Sequence, residues 1–285
     1  MTFGVFLLVL AAAVSHAGWN FVTRKVSGNL VVVWLAILAG CVLLLPVAVT
    51  IVFHHGFQNS VSMAAFGYMI ATGVIHAIYF FFLSRAYGQG EITRIYPIAR
   101  GSGVGGTAVF AKILLKEETS LLGSVGIGLI FLGIIAMGSP AFKPGEDAPG
   151  FKLALCVGAS IVAYSLIDKV GVGKVNPVLY IWAMFFIAAI VLWPFVAWRH
   201  RGKILKTGKQ YFRAIFFIGA GSMGTYLMIL FAFTVGLVSY VVAIREFAVV
   251  IGALFGTVFL KEKLTCSKVL AIITITMGLV CVKAG

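Results

Sequence analysis

Long apolar segments separated by short polar connections run along nearly the whole chain of 285 residues. A helix that crosses a bilayer needs about 20 mostly apolar residues. Ten segments reach this length, and the connections between them carry Gly, Pro, Asn or charged residues. The predicted spans cover residues 3–23, 30–53, 62–84, 92–115, 120–138, 151–168, 176–198, 211–235, 238–260 and 265–283. The pattern therefore predicts an all-α integral membrane protein with ten transmembrane helices.

An internal repeat is indicated by a linker-like stretch at residues 139–150, almost at the midpoint of the chain. The features that coincide after a shift of 145 residues are Leu115-Lys116-Glu117 with Leu260-Lys261-Glu262, Arg100 with Arg245, Trp19 with Tyr164, and Asn20 with Ser165. We therefore predict two similar five-helix halves, residues 1–140 and 150–285. An odd number of spans in each half gives the halves opposite orientations, an arrangement that many secondary transporters use for alternating access.

The composition agrees with a membrane protein, because 61% of the residues are hydrophobic and 11% are charged, against about 25% charged in soluble domains. The net charge of +14 lies mostly in short loops, so we interpret it as a topology signal rather than as a nucleic-acid surface. The positive-inside rule then places both termini outside. The apolar N-terminus lacks the basic region of a signal peptide, so we expect a retained first helix.

Charged residues deep inside predicted spans are candidates for a site, because a charge costs about 2.5–3.5 kcal/mol at the helix centre on insertion scales. Arg100 lies in the fourth span, and Arg245 lies in the ninth and is followed directly by Glu246. Two guanidinium groups would bind a carboxylate or a phosphoryl-type anion through their planar forks of donors. The alternative is that each arginine is a structural pin, paired with Glu246, with helix carbonyls or with lipid headgroups.

The residues around Arg100 add one binding candidate and a packing motif. Tyr96 lies one turn before Arg100 on the same helix face, and Pro97 lies between them. The glycine-rich segment 101–106 has no Walker lysine and no preceding strand, so it does not predict a phosphate loop. It predicts close helix packing, with flexibility for gating as the alternative.

Polar side chains on the first span are also candidates. His16, Trp19 and Asn20 share one helix face because their spacings are three and four residues. His16 is either a proton relay or a donor of one hydrogen bond between helices. Trp19 lies either in the cavity or in the interfacial aromatic belt.

Further candidates lie on the third, sixth and eighth spans. His76 is either a cavity residue or a helix-to-helix hydrogen-bonding group, and Tyr164 and Tyr226 are cavity candidates. Asp168 and Lys169 lie near the end of the sixth span, and we expect them to pair with each other or with solvent.

The chain shows no pattern of catalytic residues. It lacks HExxH and GxSxG, and its eight acidic residues lie mostly in loops or at helix ends, so we do not expect an enzyme; a membrane-embedded acyltransferase or protease is the rival class. The four scattered cysteines have no ligand-like spacing, so we expect no metal site. We expect no bound cofactor and no ATP-driven transport, and a proton or solute gradient is the expected energy source.

Three motifs carry a resemblance to a known family. They are His16-Ala17-Gly18-Trp19-Asn20, Tyr96-Pro97-Ile98-Ala99-Arg100-Gly101, and Leu115-Lys116-Glu117 with its counterpart Leu260-Lys261-Glu262. The chain resembles the EamA-like ten-helix branch of the drug/metabolite transporter superfamily over nearly its whole length. Two features depart from the family pattern: Lys116 and Lys261 replace the commoner glycine, and a proline often found in the middle of the fourth and ninth spans is missing.

The resemblance implies a multi-pass carrier in the inner (plasma) membrane that exports or exchanges small polar metabolites, such as amino acids. It also implies a central cavity lined by spans 1, 3, 4, 6, 8 and 9, and termini in the cytoplasm, opposite to the charge count. We expect an anionic or zwitterionic substrate, contact with membrane lipids, no nucleic-acid partner, and a monomer or a homodimer. The alternatives are a lipid-headgroup flippase and a membrane anchor or sensor that transports nothing.

Overall fold

A computed structural model of the protein describes residues 1–26, 29–56, 61–89, 92–138, 148–200, 202–261 and 265–285. Within these ranges the chain forms twelve α-helices and no β-strand. In chain order they are α1 (Phe3–Lys25), α2 (Leu30–His55), α3 (Met63–Gln89), α4 (Ile92–Leu114), α5 (Leu121–Gly138), α6 (Ala148–Gly171), α7 (Pro177–Arg199), α8 (Ile204–Gln210), α9 (Phe212–Val235), α10 (Val238–Arg245), α11 (Phe247–Leu260) and α12 (Cys266–Ala284).

Nine segments of the described chain are long and apolar enough to cross a membrane. They are α1, α2, α3, α5, α6, α7, α9, the combined α10 and α11, and α12. The all-α multi-span membrane fold is therefore confirmed. The fourth predicted span is a helix of 23 residues, α4, but it is not among the nine, so the count of ten spans stays a prediction.

Bulky apolar side chains cover the outside of the helix bundle. Phe53, Leu121 and Trp198 are each more than four-fifths exposed. A soluble protein rarely exposes large contiguous apolar surface, whereas lipid tails solvate it well. The outer face therefore fits a bilayer environment.

The ninth span was predicted as one helix over 238–260, and this is wrong in detail. The helix breaks between Arg245 and Glu246, where the Glu246 amide donates to the Ala243 carbonyl, three residues back, at 3.1 Å. Such a tightened turn inside a span often marks a functional site. Arg245 ends α10 and Glu246 precedes α11, so each charge lies at the helix end whose dipole it complements.

Most helix contacts have a counterpart in which the equivalent helices of the two predicted halves are interchanged. α3 packs on α6 and α7, and correspondingly α9 packs on α1 and α2. α4 packs on α6, and α10 and α11 pack on α1, while α2 contacts α7 and α5 contacts α12. The pattern is the one that two related halves produce, although the predicted boundaries of 1–140 and 150–285 stay a prediction.

Two pairs of side-chain and backbone contacts show the same correspondence between the halves. The Trp34 indole N–H on α2 donates to the Ala189 carbonyl on α7 at 3.0 Å, and the Trp182 indole N–H on α7 donates to the Cys41 carbonyl on α2 at 3.0 Å. On α5 and α12, a Cβ added to either Gly126 or Gly278 would lie 2.6 Å from the carbonyl oxygen of the other. Side chains larger than hydrogen therefore do not fit at this crossing.

Lys116 and Lys261 share an unusual backbone conformation. Their φ angles are 54° and 55°, in the left-handed region that L residues other than glycine adopt at a cost. After α4, the amide of Glu117 donates to the Ala111 carbonyl, six residues back, at 3.2 Å, as in a Schellman C-cap. This conformation explains why glycine suits both positions. Glu262 lies outside the described residues.

The glycines that follow Arg100 mediate close helix packing, as one of the two interpretations predicted. A Cβ on Gly101 would lie 2.7 Å from Ile135 on α5, and one on Gly103 would lie 2.9 Å from Ile161 on α6. Gly106 is equally close to α6. Gly252 on α11, by contrast, has open space around it.

Candidate functional site

A small cavity of about 40 Å³ lies inside the bundle. Its lining comes from six helices, α1, α3, α6, α7, α9 and α10. The lining residues are His16, Trp19, His76, Tyr79, Phe80, Tyr164, Phe185, Ser222, Thr225, Tyr226 and Arg245. The cavity is thus mainly aromatic, with one guanidinium group.

Six of the ten predicted site residues line this cavity. They are His16, Trp19, His76, Tyr164, Tyr226 and Arg245. The other four, Asn20, Tyr96, Arg100 and Glu246, do not. The fourth span, which we expected in the lining, contributes no residue, whereas the seventh contributes Phe185. Ser222 and Thr225 were missed, although both lie within one turn of Tyr226 on an apolar helix, which is a readable signal.

Arg100 is paired with a carboxylate in the protein interior. Its Nε donates to one Glu246 carboxylate oxygen at 2.7 Å, and an Nη donates to the other at 2.6 Å. Its guanidinium also lies over the Tyr96 ring, with Cζ 5.7 Å from the ring centroid. Arg100 and Glu246 are 3% and 1% exposed. This bidentate pair corresponds to the structural-pin interpretation of Arg100.

Arg245 has a different environment, although it adjoins Glu246. One Nη lies 3.4 Å from a Glu246 oxygen that Arg100 already holds more closely. Its Nε is buried and has no hydrogen-bond partner among the described residues. Buried donors are nearly always paired in native structures. Arg245 therefore offers an unused donor at the wall of the cavity.

Aromatic rings form much of the remaining wall. The His76 ring stacks on Tyr164 with centroids 4.3 Å apart, and Tyr226 approaches His76 edge-on at 5.2 Å. His16 and Trp19 meet edge-to-face at 4.9 Å. Trp19 is only 7% exposed, so it lies in the interior rather than in the interfacial belt. Its indole N–H is a second buried donor without a partner among the described residues.

Two candidates bond within their own helices. The Asn20 side chain donates to the His16 carbonyl at 2.9 Å. His76 Nδ1 lies 3.0 Å from the Thr72 carbonyl and 3.1 Å from the Thr72 hydroxyl. Because a carbonyl only accepts, Nδ1 carries the hydrogen and Nε2 of a neutral ring is an acceptor. His76 thus makes no helix-to-helix hydrogen bond through Nδ1.

Asp168 is a buried group that the sequence did not single out as a site residue. It is 0% exposed and accepts from the Tyr180 hydroxyl at 2.8 Å and from the Tyr226 hydroxyl. The expectation that Asp168 pairs with Lys169 or with solvent is wrong. Adjacent residues on a helix point in different directions, and Asp168 faces the tyrosines. Because Tyr226 lines the cavity, Asp168 lies directly behind its wall.

Lys169 and Glu117 hold the turn between α9 and α10. The Lys169 ammonium donates to the carbonyls of Phe233 and Gly236 at 2.6 and 2.7 Å. Glu117 accepts from the Val238 amide at 2.7 Å and from the amide and hydroxyl of Ser239. A cation thus caps the end of α9 and a carboxylate caps the start of α10, in agreement with both helix dipoles. These contacts fix α10, which carries Arg245.

A larger groove of about 470 Å³ lies elsewhere, at the end of α7. Its lining is Trp193, Pro194, Ala197, Trp198, Gly202 and Ile204. None of these side chains is ionisable, and none was predicted as a site residue. Among the described residues no group of three or more His, Cys, Asp or Glu could hold a metal ion. The aromatic cavity is therefore the candidate functional site.

Comparisons with known proteins agree with this architecture. Residues 148–283 match the sequence family described as the EamA-like transporter family. A protein of known crystal structure shares the fold, with a TM-score of 0.74 over 98% of each chain and 16% sequence identity. Sequence similarity this low supports the fold alone. No curated protein matches the sequence.

Proposed function

Because residues 148–283 match the EamA-like transporter family, we propose that the chain is a secondary-active carrier of a small organic anion. Its setting is the inner (plasma) membrane, it is not an enzyme, and it works without a bound cofactor. The observation that carries the proposal is the buried Nε of Arg245 at the cavity wall, which has no hydrogen-bond partner among the described residues.

The charge of the lining favours an anion. Arg245 is the permanently charged group among the described lining residues, and these include no carboxylate. A carboxylate or phosphoryl-type oxygen would satisfy the guanidinium donor. A zwitterion would also need an acceptor for its ammonium group. A purely anionic substrate therefore fits this lining better than an amino acid.

The aromatic walls favour an apolar or planar substrate body. Tyr79, Phe80 and Phe185 add apolar area to the stack of His76 on Tyr164. Ligand sites commonly combine apolar walls with a few polar groups that fix orientation. An aromatic carboxylate or a related anion has both properties.

The cavity is smaller than the pockets that ligands usually occupy. Drug-sized ligands occupy pockets of about 300–1,000 Å³, whereas this cavity measures about 40 Å³. Substrate binding therefore requires helices of the two halves to move apart. Opening on alternate sides of the membrane is the alternating-access scheme of transporters built from repeats.

Thermal unfolding of the purified protein tests the proposal. We would titrate benzenesulfonate, which stays ionised, and compare it with phenylalanine and phenyltrimethylammonium, which share the ring but differ in charge. A ligand at about 100 times its Kd stabilises the folded state by about 2.7 kcal/mol. We expect benzenesulfonate to raise the melting temperature and phenyltrimethylammonium to leave it unchanged.

Two variants test whether the stabilisation by benzenesulfonate depends on Arg245. Arg245→Gln should abolish the stabilisation by benzenesulfonate, whereas Arg199→Gln, at the exposed end of α7, should retain it. An unchanged benzenesulfonate response in Arg245→Gln would disprove the anion contact. Stabilisation by phospholipids alone, with none of the three solutes active, would instead support the flippase alternative.

A further inference from the structure

Asp168 combines complete burial with the lack of a cationic partner. Both carboxylate oxygens accept hydrogen bonds from tyrosine hydroxyls, those of Tyr180 and Tyr226. Neighbouring Lys169 donates instead to backbone carbonyls. No ion pair joins Asp168 to a described cation. A buried carboxylate without a cation is stabilised by taking up a proton.

Two short paths connect Asp168 with the cavity. The first is direct, because Tyr226 both lines the cavity and donates to Asp168. The second runs through α3, where Thr72 lies beside Asp168 and its hydroxyl lies 3.1 Å from His76 Nδ1. His76 also lines the cavity. A proton can therefore reach Asp168 from the cavity by way of hydrogen-bonding groups.

The buried charges around the cavity balance only when Asp168 is ionised. Arg100 and Arg245 are positive, and Glu246 and Asp168 are negative, so their sum is zero. Lys169 and Glu117, at the turn between α9 and α10, also cancel. Protonation of Asp168 leaves one net positive charge, which favours the entry of one anion.

We propose that Asp168 binds one proton together with the anion, so that the carrier is a proton–anion symporter; this rests on the proposed function. The carboxylate takes up a proton and becomes a carboxylic acid, with no other bond changed. Its O–H then donates to the Tyr226 oxygen, and the Tyr226 hydrogen turns towards the cavity, where it donates to the anion. Proton and anion thus strengthen each other's binding, and by linkage the effect is reciprocal.

Polar and ionisable groups on each helix that packs against α6 influence the protonation of Asp168. They are Thr72, His76 and Tyr79 on α3, Tyr96 and Arg100 on α4, Tyr226 on α9 and Arg245 on α10, with Tyr180 on α7 and Tyr164 and Lys169 on α6 itself. His76 carries the imidazole among these groups, and an imidazole exchanges protons near neutral pH in water. The experiment therefore includes a His76 variant.

The first measurement is the pH dependence of benzenesulfonate binding between about pH 5 and about pH 9. This probe stays ionised, so any proton taken up belongs to the protein. For the wild type we expect the affinity for benzenesulfonate to fall about tenfold per pH unit in the pH range where Asp168 has lost its proton. This is the slope that one linked proton produces. Asp168→Asn should bind tightly at every pH, and His76→Gln should keep the wild-type slope. A wild-type slope retained in Asp168→Asn overturns the proposal.

The second measurement needs no ligand. Infrared difference spectra of the reconstituted protein, acidic minus alkaline, should show the C=O stretch of a protonated buried carboxyl group. The band should be missing in Asp168→Asn, shifted in Asp168→Glu, and unchanged in Glu117→Gln, which removes another buried carboxylate. A spectrum of Asp168→Asn identical to that of the wild type overturns the proposal even if a variant binds poorly.

The two measurements separate this inference from the function on which it rests. Binding of benzenesulfonate that is independent of pH disproves proton coupling and leaves anion transport standing. A carboxyl band that depends on Asp168, without binding of any anion, supports the proton site and disproves the anionic substrate. In liposomes with a trapped pH indicator, an inward gradient of benzenesulfonate should acidify the lumen through the wild type and not through Asp168→Asn.

Discussion

Replacing Glu246 with glutamine leaves two buried guanidinium groups, those of Arg100 and Arg245, without the carboxylate that both contact. Replacing Arg100 with glutamine has a milder consequence. Arg245 already lies 3.4 Å from Glu246, and it can move closer and become the carboxylate's partner. The two variants break the same ion pair, but they leave different charges behind.

The charges that stay unpaired determine how much stability each variant should lose. Removing one partner of a buried ion pair costs about 3–5 kcal/mol because the other charge stays unpaired. We assign the upper end of this range to Glu246→Gln. For Arg100→Gln we expect about 1.5–3 kcal/mol, the value of hydrogen bonds to a charged group. At about 2–4 °C per kcal/mol, the melting temperature should fall by about 10 °C or more in Glu246→Gln and by about half as much in Arg100→Gln.

Thermal unfolding in detergent, followed by tryptophan fluorescence, measures both changes, and the double variant completes the cycle. Arg100→Gln with Glu246→Gln should be less destabilised than the sum of the single variants, by about 1–3 kcal/mol. Equal losses in the two single variants, or additive losses in the double variant, would refute the assignment of Glu246 as the shared partner of both arginines.

Three smaller effects follow from the fold. Lys116→Gly should stabilise the protein by about 1 kcal/mol, because it relieves the left-handed backbone at φ 54°; a lower melting temperature would contradict this explanation. Glu117→Gln should cost about 1–3 kcal/mol, because the amides at the start of α10 lose a charged acceptor; Glu118→Gln, on the exposed neighbour, should cost nothing. Trp34→Phe and Trp182→Phe should each cost about 1 kcal/mol, since their indole hydrogen bonds correspond, and a large difference between them would show that the two contacts are not equivalent.

The fold was largely predictable because bilayer thickness imposes a length on each span. Apolar runs of about 20 residues are visible without any knowledge of packing. The break between Arg245 and Glu246 was not visible, because 238–260 has no proline and its sequence continues smoothly through the break. Its cause is tertiary, since Glu246 is bound by Arg100 from another helix.

The site was predictable as a set of residues but not as a set of roles. Buried polar groups in a membrane helix face inward, so Arg245, His76 and Tyr226 could be found from their positions alone. Whether an arginine pairs internally or faces the cavity depends on a partner that is distant in the chain. Asp168 illustrates the limit: its helix-end position suggested solvent, and only its tyrosine partners, Tyr180 and Tyr226, reveal that it is buried.

The two arginines that the predicted repeat relates differ in their neighbours. Arg100 and Arg245 coincide at the shift of 145 residues, but the residue equivalent to Glu246 is Gly101. A Cβ at Gly101 would lie 2.7 Å from the Ile135 side chain. The carboxylate is therefore present at this position in the second half of the chain, and it reaches across to Arg100. Glu246 neutralises Arg100 in this way, and Arg245, its neighbour in the chain, keeps a donor at the cavity wall that has no partner in the part of the chain that the structure describes.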